Sequence, residues 1–111
     1  MGERLREGDI LDGTYAALGH DVRRSVLSVL REGPARVTDL ARPFELSLNT
    51  VSKHLRVLES ARLVERDVHG RDHWMSLRAQ PLETASLWLE GYRTFWEGRL
   101  DALDRLMRGG R

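Results

Sequence analysis

Two short helical patterns lie so close together between Arg36 and Arg62 that they limit how this chain can fold. The first begins at Val37, and the second follows Ser47, a residue type that caps helix N-termini. Apolar residues of the second pattern recur as on one helix face, at Val51, Leu55 and Leu58. Helices joined by so short a turn cannot pack antiparallel along their length, so they cross steeply. Residues 36–62 are therefore predicted to form a helix-turn-helix.

A β-hairpin is predicted directly after this motif, over residues 63–78. Strand-forming residues stand on both sides of a polar tip that runs from His69 to Asp72. Gly70, in the middle of the tip, permits the positive φ that tight hairpin turns require. A hairpin in this position would form a wing beside the second helix of the motif.

Two further helices are predicted near the start of the chain, over residues 10–32. Apolar residues recur at helical spacing on both sides of Gly19. Asp21 is the predicted N-cap of the second helix, which Gly33 and Pro34 end. The predicted fold is mostly α with one small hairpin, and 111 residues leave room for a single domain, 1–111.

The last predicted element is one long helix over residues 81–107. Pro81 suits its first turn, and its apolar residues follow a nearly continuous spacing of three and four. A helix of about 26 residues, roughly 40 Å long, exceeds what so small a domain can cover. We expect a second copy to cover much of its apolar face. The alternative is a helix packed within its own monomer. The predicted dimer residues on this helix are Leu89, Tyr92, Trp96, Leu100 and Leu103.

Polar and basic side chains occupy the outward face of the second helix of the motif. A helix that enters the major groove of DNA presents such groups to base edges and phosphates, and arginines on a wing can reach the backbone beside it. His54 has two open interpretations, a DNA contact or partly buried packing against a neighbouring helix. For the whole set, a solvated surface is the alternative. The candidate DNA-binding residues are Ser47, Asn49, Thr50, Ser52, Lys53, His54, Arg56, Arg66 and Arg71.

Composition and motifs argue against several other classes of protein. The net charge is only +1 at pH 7, so a basic surface would have to be local. Because cysteine is absent and the histidines complete no ligand set, neither a metal site nor a cofactor is expected. No phosphate loop or nucleophile motif indicates an enzyme. No apolar run approaches the roughly 20 residues of a membrane span, and no secretory signal is apparent, so we expect a cytoplasmic protein without a membrane partner.

Several segments of the chain resemble the ArsR-type repressors. LGHDVRRSVLSVL, from Leu18, is similar to their helix-opening signature, and SLNTVSKHLRVLE, from Ser47, to their recognition helix. ARLVER, from Ala61, and GRDHW, from Gly70, resemble their wing. WLEGYRTFWEGRLDAL, from Trp88, is similar to the end of a metal-independent branch. The resemblance extends from residue 14 to residue 107.

This resemblance implies a dimeric winged-helix repressor that is held together by its first and last helices, which adds Leu11 and Tyr15 of the first helix to the predicted dimer residues. It assigns DNA reading to the segment from Ser47 to Arg56 and wing contacts to Arg66 and Arg71. Members with this C-terminal pattern are often encoded beside a START-like ligand-binding protein, which is a candidate target of their regulation.

Two departures from the family pattern affect what the resemblance implies. His20, Asp21 and Val22 stand where the family commonly has Asp-Pro-Thr. The cysteines of some metal-sensing members, and the Asp and His ligands that others carry in the last helix, have no counterparts here. Sensing of arsenite, cadmium or zinc at those sites is therefore not supported.

Taken together, the sequence predicts a transcriptional regulator, a repressor that binds an inverted-repeat operator in double-stranded DNA as a homodimer. The rival from another class is a winged helix whose last helix docks a different protein. A third hypothesis, compatible with the first, is an effector sensor with a ligand under Trp88 and Phe95. The effector itself is not predicted.

Overall fold

The computed structural model of this chain describes residues 6–109. Residues Arg42–Phe44 form a short 3₁₀ turn. In chain order the elements are α1 (Glu7–Leu18), α2 (Asp21–Leu30), β1 (Ala35–Arg36), α3 (Val37–Ala41), α4 (Leu48–Ser60), β2 (Val64–His69), β3 (Asp72–Leu77), α5 (Gln80–Glu90) and α6 (Arg93–Gly109). This order confirms the predicted winged helix-turn-helix, with α3 and α4 as the motif and β2 and β3 as the wing.

The wing belongs to a small antiparallel sheet with the strand order β1-β3-β2. The hairpin pairs Val64 with Leu77 at its base and His69 with Asp72 at its tip. Gly70 in the two-residue turn has φ +62°, the left-handed value expected from the sequence. Strand β1, which pairs Arg36 with Trp74, escapes sequence analysis because two residues show no alternation.

The core lies where α2, α3 and α4 pack around the sheet. The predicted apolar stripe of α4, which consists of Val51, Leu55 and Leu58, is 0% exposed. This burial confirms which face of α4 points inward. The other large side chains of the core include Val26, Leu30, Leu40, Leu63 and Met75.

Of the two N-terminal caps predicted from the sequence, the one for α4 is confirmed and the one for α2 is not. Ser47 caps α4 as predicted, because its hydroxyl accepts a hydrogen bond of 3.2 Å from the Thr50 N–H. The prediction of Asp21 as the cap of α2 is wrong. The capping residue is His20, whose backbone is extended and whose Nδ1 accepts a 3.1 Å bond from the Val22 N–H. Asp21 is the first residue of the helix, where its negative charge suits the helix dipole.

The single helix predicted for residues 81–107 is also wrong, because Gly91 and Tyr92 divide it into α5 and α6. The N–H groups of both residues bond three residues back, to Trp88 at 3.3 Å and Leu89 at 2.9 Å, which tightens the turn. Glycine is a poor helix former, and the apolar spacing that continues across it hides the break. Helix α5 packs against α1, whereas none of the residues of α6 is buried.

The buried stripe of α4 predicts how this fold responds to truncation. Leu55→Ala should lower the free energy of unfolding by about 2–5 kcal/mol, because it leaves a cavity in the core. Val57→Ala on the same helix is the matched control, since Val57 is 39% exposed, and it should cost about 1 kcal/mol or less. Urea unfolding at one fixed protein concentration measures both. A Leu55→Ala protein as stable as the parent would contradict the position assigned to α4.

Candidate DNA-binding surface

The outward face of α4 lies opposite its buried stripe. The residues exposed on it stand at successive turns of the helix and are Asn49, Lys53 and Arg56. Within residues 6–109, neither Lys53 nor Arg56 forms an ion pair or a side-chain hydrogen bond. Two cations and one amide are thus available to an outside ligand, at the positions that the sequence predicts for a DNA-reading face.

The three hydroxyl groups predicted to contact DNA have different surroundings. The Ser47 and Thr50 hydroxyls lie 3.0 Å apart and hydrogen-bond to each other, in addition to the capping bond between the Ser47 hydroxyl and the Thr50 N–H. Ser52 is partly buried and faces the wing. Ser47 and Thr50 therefore shape the first turn of α4, which positions Asn49.

His54 packs against α2 rather than pointing outward. Its ring lies 4.3 Å from that of His20, centroid to centroid, and Arg23 donates a 3.3 Å hydrogen bond to its Nδ1. Partial burial lowers the pKa of His54, and the neighbouring charges of His20 and Arg23 lower it further, while Asp21 opposes them. Of the two interpretations of His54, these contacts favour packing.

Arg23 connects three helices through the same contact. Its Nε donates to the Ala17 carbonyl at 2.7 Å and its Nη2 to the Ala16 carbonyl at 3.1 Å, both at the end of α1. With the bond to His54, the guanidinium links α1, α2 and α4. The sequence gives no sign of this link, because its partners are backbone oxygens and a distant side chain.

Arg66, which the sequence predicts as a wing contact, is hydrogen-bonded to side chains of its own chain. Its guanidinium holds the Glu59 carboxylate with two hydrogen bonds, Nε at 3.2 Å and Nη2 at 2.8 Å, and donates a third, of 3.0 Å, to His73 Nδ1. The hydrogen bonds to Glu59 raise the pKa of Arg66. We therefore interpret Arg66 as a residue that joins β2 to α4, and no longer as a wing contact. Sequence analysis could not reveal the pairing of Arg66 with Glu59, because Glu59 lies in another element.

Arg71 remains at the tip of the wing. It is exposed in the turn after Gly70, and it has no ion-pair partner among residues 6–109. Of the two arginines predicted for the wing, Arg71 is the one without an ion-pair partner among residues 6–109.

A shallow groove of about 300 Å³, here called the wing groove, separates the wing from the first turns of α3 and α4. Sequence analysis missed Arg36 at its edge. The guanidinium of Arg36 lies 5.5 Å from the centroid of the Trp74 ring, and its Nε is 3.4 Å from Asp39 Oδ2. A basic residue directly before the first helix of the motif was the available signal. The residues that line the wing groove include Arg36, Thr38, Leu48, Ser52 and Arg71.

The residues predicted for a dimer interface lie on α1, on α5 and α6, and in the turn between the last two. Leu11 is partly buried, and the Tyr15 hydroxyl donates a 3.2 Å hydrogen bond to the Ala85 carbonyl. Trp88 lies between Tyr15 and another ring, that of Tyr92. The side chains left at least 38% exposed are those of Tyr15, Leu89, Tyr92, Trp96, Leu100 and Leu103.

The two aromatic residues considered for an effector site have separate neighbours. The ring centroids of Trp88 and Tyr15 are 6.2 Å apart, and those of Trp88 and Tyr92 are 5.1 Å apart. Phe95 instead lies under the Arg99 guanidinium, 4.6 Å from its ring centroid. Trp88 thus contacts α1 and the turn before α6, whereas Phe95 contacts its own helix.

Residues 6–109 contain neither a cluster of metal-ligating side chains nor a helix that could span a membrane. No three of the His, Asp and Glu side chains in residues 6–109 are grouped so that they could hold a metal ion. None of the helices described is long and apolar enough to cross a membrane.

The chain is similar to known regulators of transcription. Residues 18–67 match the family model HTH_20, a helix-turn-helix domain. The HTH-type transcriptional regulator Rv2034 of Mycobacterium tuberculosis is 43% identical over 53 residues, which are 48% of this chain and 50% of that protein. The transcriptional repressor SdpR of Bacillus subtilis is 25% identical over 79 residues, 71% of this chain and 88% of its own. This chain therefore spans only about half the length of the mycobacterial relative.

A solved structure extends the similarity over more of the chain. The crystal structure of the ArsR family transcriptional regulator RHA00566 superposes with a TM-score of 0.74 and is 33% identical. The match covers 79% of this chain and 97% of that one. This chain belongs to the ArsR family of winged helix-turn-helix transcriptional regulators.

Proposed function

We propose that this chain binds an inverted-repeat operator in duplex DNA as a homodimer and represses transcription. The observation that carries the proposal is the outward face of α4, where Asn49, Lys53 and Arg56 are exposed and have no partner in the described chain. Such a face meets the needs of a major-groove helix, which requires cations for phosphates and hydrogen-bonding groups for base edges. A cytoplasmic location follows from the DNA partner.

The residues of α4 have separate proposed roles. Asn49 lies in the first turn, the part of a recognition helix that reaches base edges, and its amide suits adenine. Lys53 and Arg56 lie one and two turns further along and suit phosphates or guanine. Ser47 and Thr50 fix the first turn, while Ser52 faces the wing groove.

Two arginines that line the wing groove extend the proposed surface beyond α4. Arg71 at the wing tip and Arg36 before α3 are both exposed. Arginine recognises phosphate through its planar fork of donors. We assign both to the DNA backbone, where they would set the position of the protein rather than its sequence preference.

The homodimer is supported by the apolar surface that a single copy leaves uncovered. Trp96, Leu100 and Leu103 are 42%, 61% and 54% exposed, and α6 buries none of its residues in the monomer. A two-fold axis brings the same surface of two copies together and also places two α4 helices on one operator. The rival hypothesis, in which α6 docks a different protein, does not explain the free cations on α4.

We infer further that the chain belongs to the metal-independent branch of the family. The sequence contains no cysteine, and it lacks the Asp and His ligand set that some metal-sensing members carry in the last helix. We propose no catalytic activity, and the chemistry of any effector is left open.

Selection from random duplexes, followed by footprinting, tests the proposed function. The protein should protect two inverted half-sites on one side of the duplex, roughly 34 Å apart, because two α4 helices of a dimer enter successive major grooves. Binding that is sensitive to salt but prefers no sequence would contradict an operator-specific regulator.

Substitutions on α4 should separate phosphate contacts from base reading. Lys53→Ala should weaken binding to every duplex and make the plot of log affinity against log salt shallower by about one for each subunit. Lys53→Arg is the control, since it keeps the charge and should keep the slope. Asn49→Ala should instead change the preferred base at one position. Fluorescence anisotropy over a range of salt concentrations measures both. If both alanine variants bind like the parent, the DNA contacts a surface other than the outward face of α4.

Truncation of the two wing arginines should affect different properties, DNA affinity for Arg71 and stability for Arg66. Arg71→Ala should reduce DNA affinity and leave the free energy of unfolding unchanged, because its guanidinium has no partner within residues 6–109. Arg66→Ala should lower that free energy by about 1–3 kcal/mol, because Glu59 loses its hydrogen bonds in a partly buried site. DNA titration and urea unfolding of both variants measure the difference. Equal losses of affinity without loss of stability would restore Arg66 as a DNA contact.

A further inference from the structure

Leu48 is a half-exposed apolar side chain at the start of α4. It is the first residue of α4, directly after the capping Ser47 and directly before Asn49, and it is 50% exposed. The leucines that complete the core from the same helix, Leu55 and Leu58, are 0% exposed. Leu48 therefore belongs to the outer surface of the helix-turn-helix rather than to its core.

The surroundings of Leu48 indicate what kind of molecule covers it. It lines the wing groove with another apolar residue, Val37, with the hydroxyl-bearing Thr38 and Ser52, and with three arginines against one carboxylate, that of Asp72. A leucine in a groove where cations outnumber carboxylates suits a ligand that is anionic and also carries an apolar group. Duplex DNA has this character, because its phosphates flank a groove in which thymine presents a methyl group.

We propose that Leu48 packs against the 5-methyl group of a thymine in each half-site and so selects thymine at that position. This assignment rests on the proposed DNA-binding function. Residues at the N-terminal end of a recognition helix reach base edges, and Leu48 stands at that end of α4. The methyl group of thymine is the apolar feature of the major-groove edges, and its contact with Leu48 removes both from water.

The neighbouring residue strengthens the choice of base. Asn49 carries an amide whose donor and acceptor match the major-groove edge of adenine. Leu48 and Asn49 are consecutive, so an apolar and an amide group are offered to adjacent positions of the site. A step that contains A·T pairs satisfies both.

Removing single methyl groups from the operator tests the role of Leu48. In a duplex obtained by selection with the parent protein, each thymine is replaced in turn by deoxyuridine, which keeps the base pair and lacks the methyl group. At one thymine position in each half-site, this replacement should weaken binding of the duplex to the parent protein about four-fold, which is the effect of losing one buried methyl-sized group. Fluorescence anisotropy at fixed salt measures the change.

Variants at two positions of α4 assign the effect to a side chain. Leu48→Ala should bind the thymine and deoxyuridine duplexes equally, whereas Leu48→Met, which keeps an apolar chain of similar volume, should retain the discrimination. Val57→Ala is the matched control, since Val57 is an exposed apolar residue further along the same helix, and it should also discriminate. A change in folding alone would not alter the ratio between two duplexes that differ by one methyl group.

The possible outcomes separate this assignment from the proposed function. If the parent selects an operator but no thymine in it is sensitive to methyl removal, or if Leu48→Ala keeps the discrimination, the role of Leu48 is overturned and the operator-binding function stands. A selected half-site without thymine on either strand would likewise overturn the role of Leu48 and leave the operator-binding function standing. If the parent selects no sequence at all, the proposed function is overturned and the assignment falls with it.

Discussion

Burial of one face of α4 determines the rest of this structure. Val51, Leu55 and Leu58 are 0% exposed, and each such side chain stabilises the fold by roughly 1.5–3 kcal/mol relative to leaving it in water. A rotation of α4 about its axis would expose all three together. The position of Asn49 and Lys53 on the outward face is thus a consequence of core packing. Stability and the proposed DNA recognition therefore depend on opposite faces of the same helix.

Polar contacts on the flanks of α4 complete its placement and divide the basic residues into two groups. Arg66 holds Glu59 near the end of α4, and Arg23 holds His54 near its middle. These guanidiniums have partners and join elements of the fold. Lys53 and Arg56 lack partners within residues 6–109, which leaves their charge for a ligand. A chain with a net charge of only +1 can in this way present a local basic surface.

Patterns that repeat along the chain were predictable from sequence, whereas features that depend on two distant segments were not. The stripe of α4, its cap Ser47 and the turn at Gly70 each have a local signal, and the structure confirms them. The bond between Arg66 and Glu59 joins two elements, so no local pattern reveals it. The break at Gly91 was missed because apolar residues continue in register beyond it. The exposure of Lys53 follows from the helical period, but its contact with DNA remains a prediction.

Amide hydrogen exchange of the protein, free and bound to its selected duplex, tests the central claim most directly. If the outward face of α4 meets DNA, binding should slow exchange in residues 47–56 and at the wing tip around Arg71, and it should leave α5 unchanged. Protection confined to α5 and α6, with the amides of α4 unaffected, would show that DNA binds another face and would contradict the account.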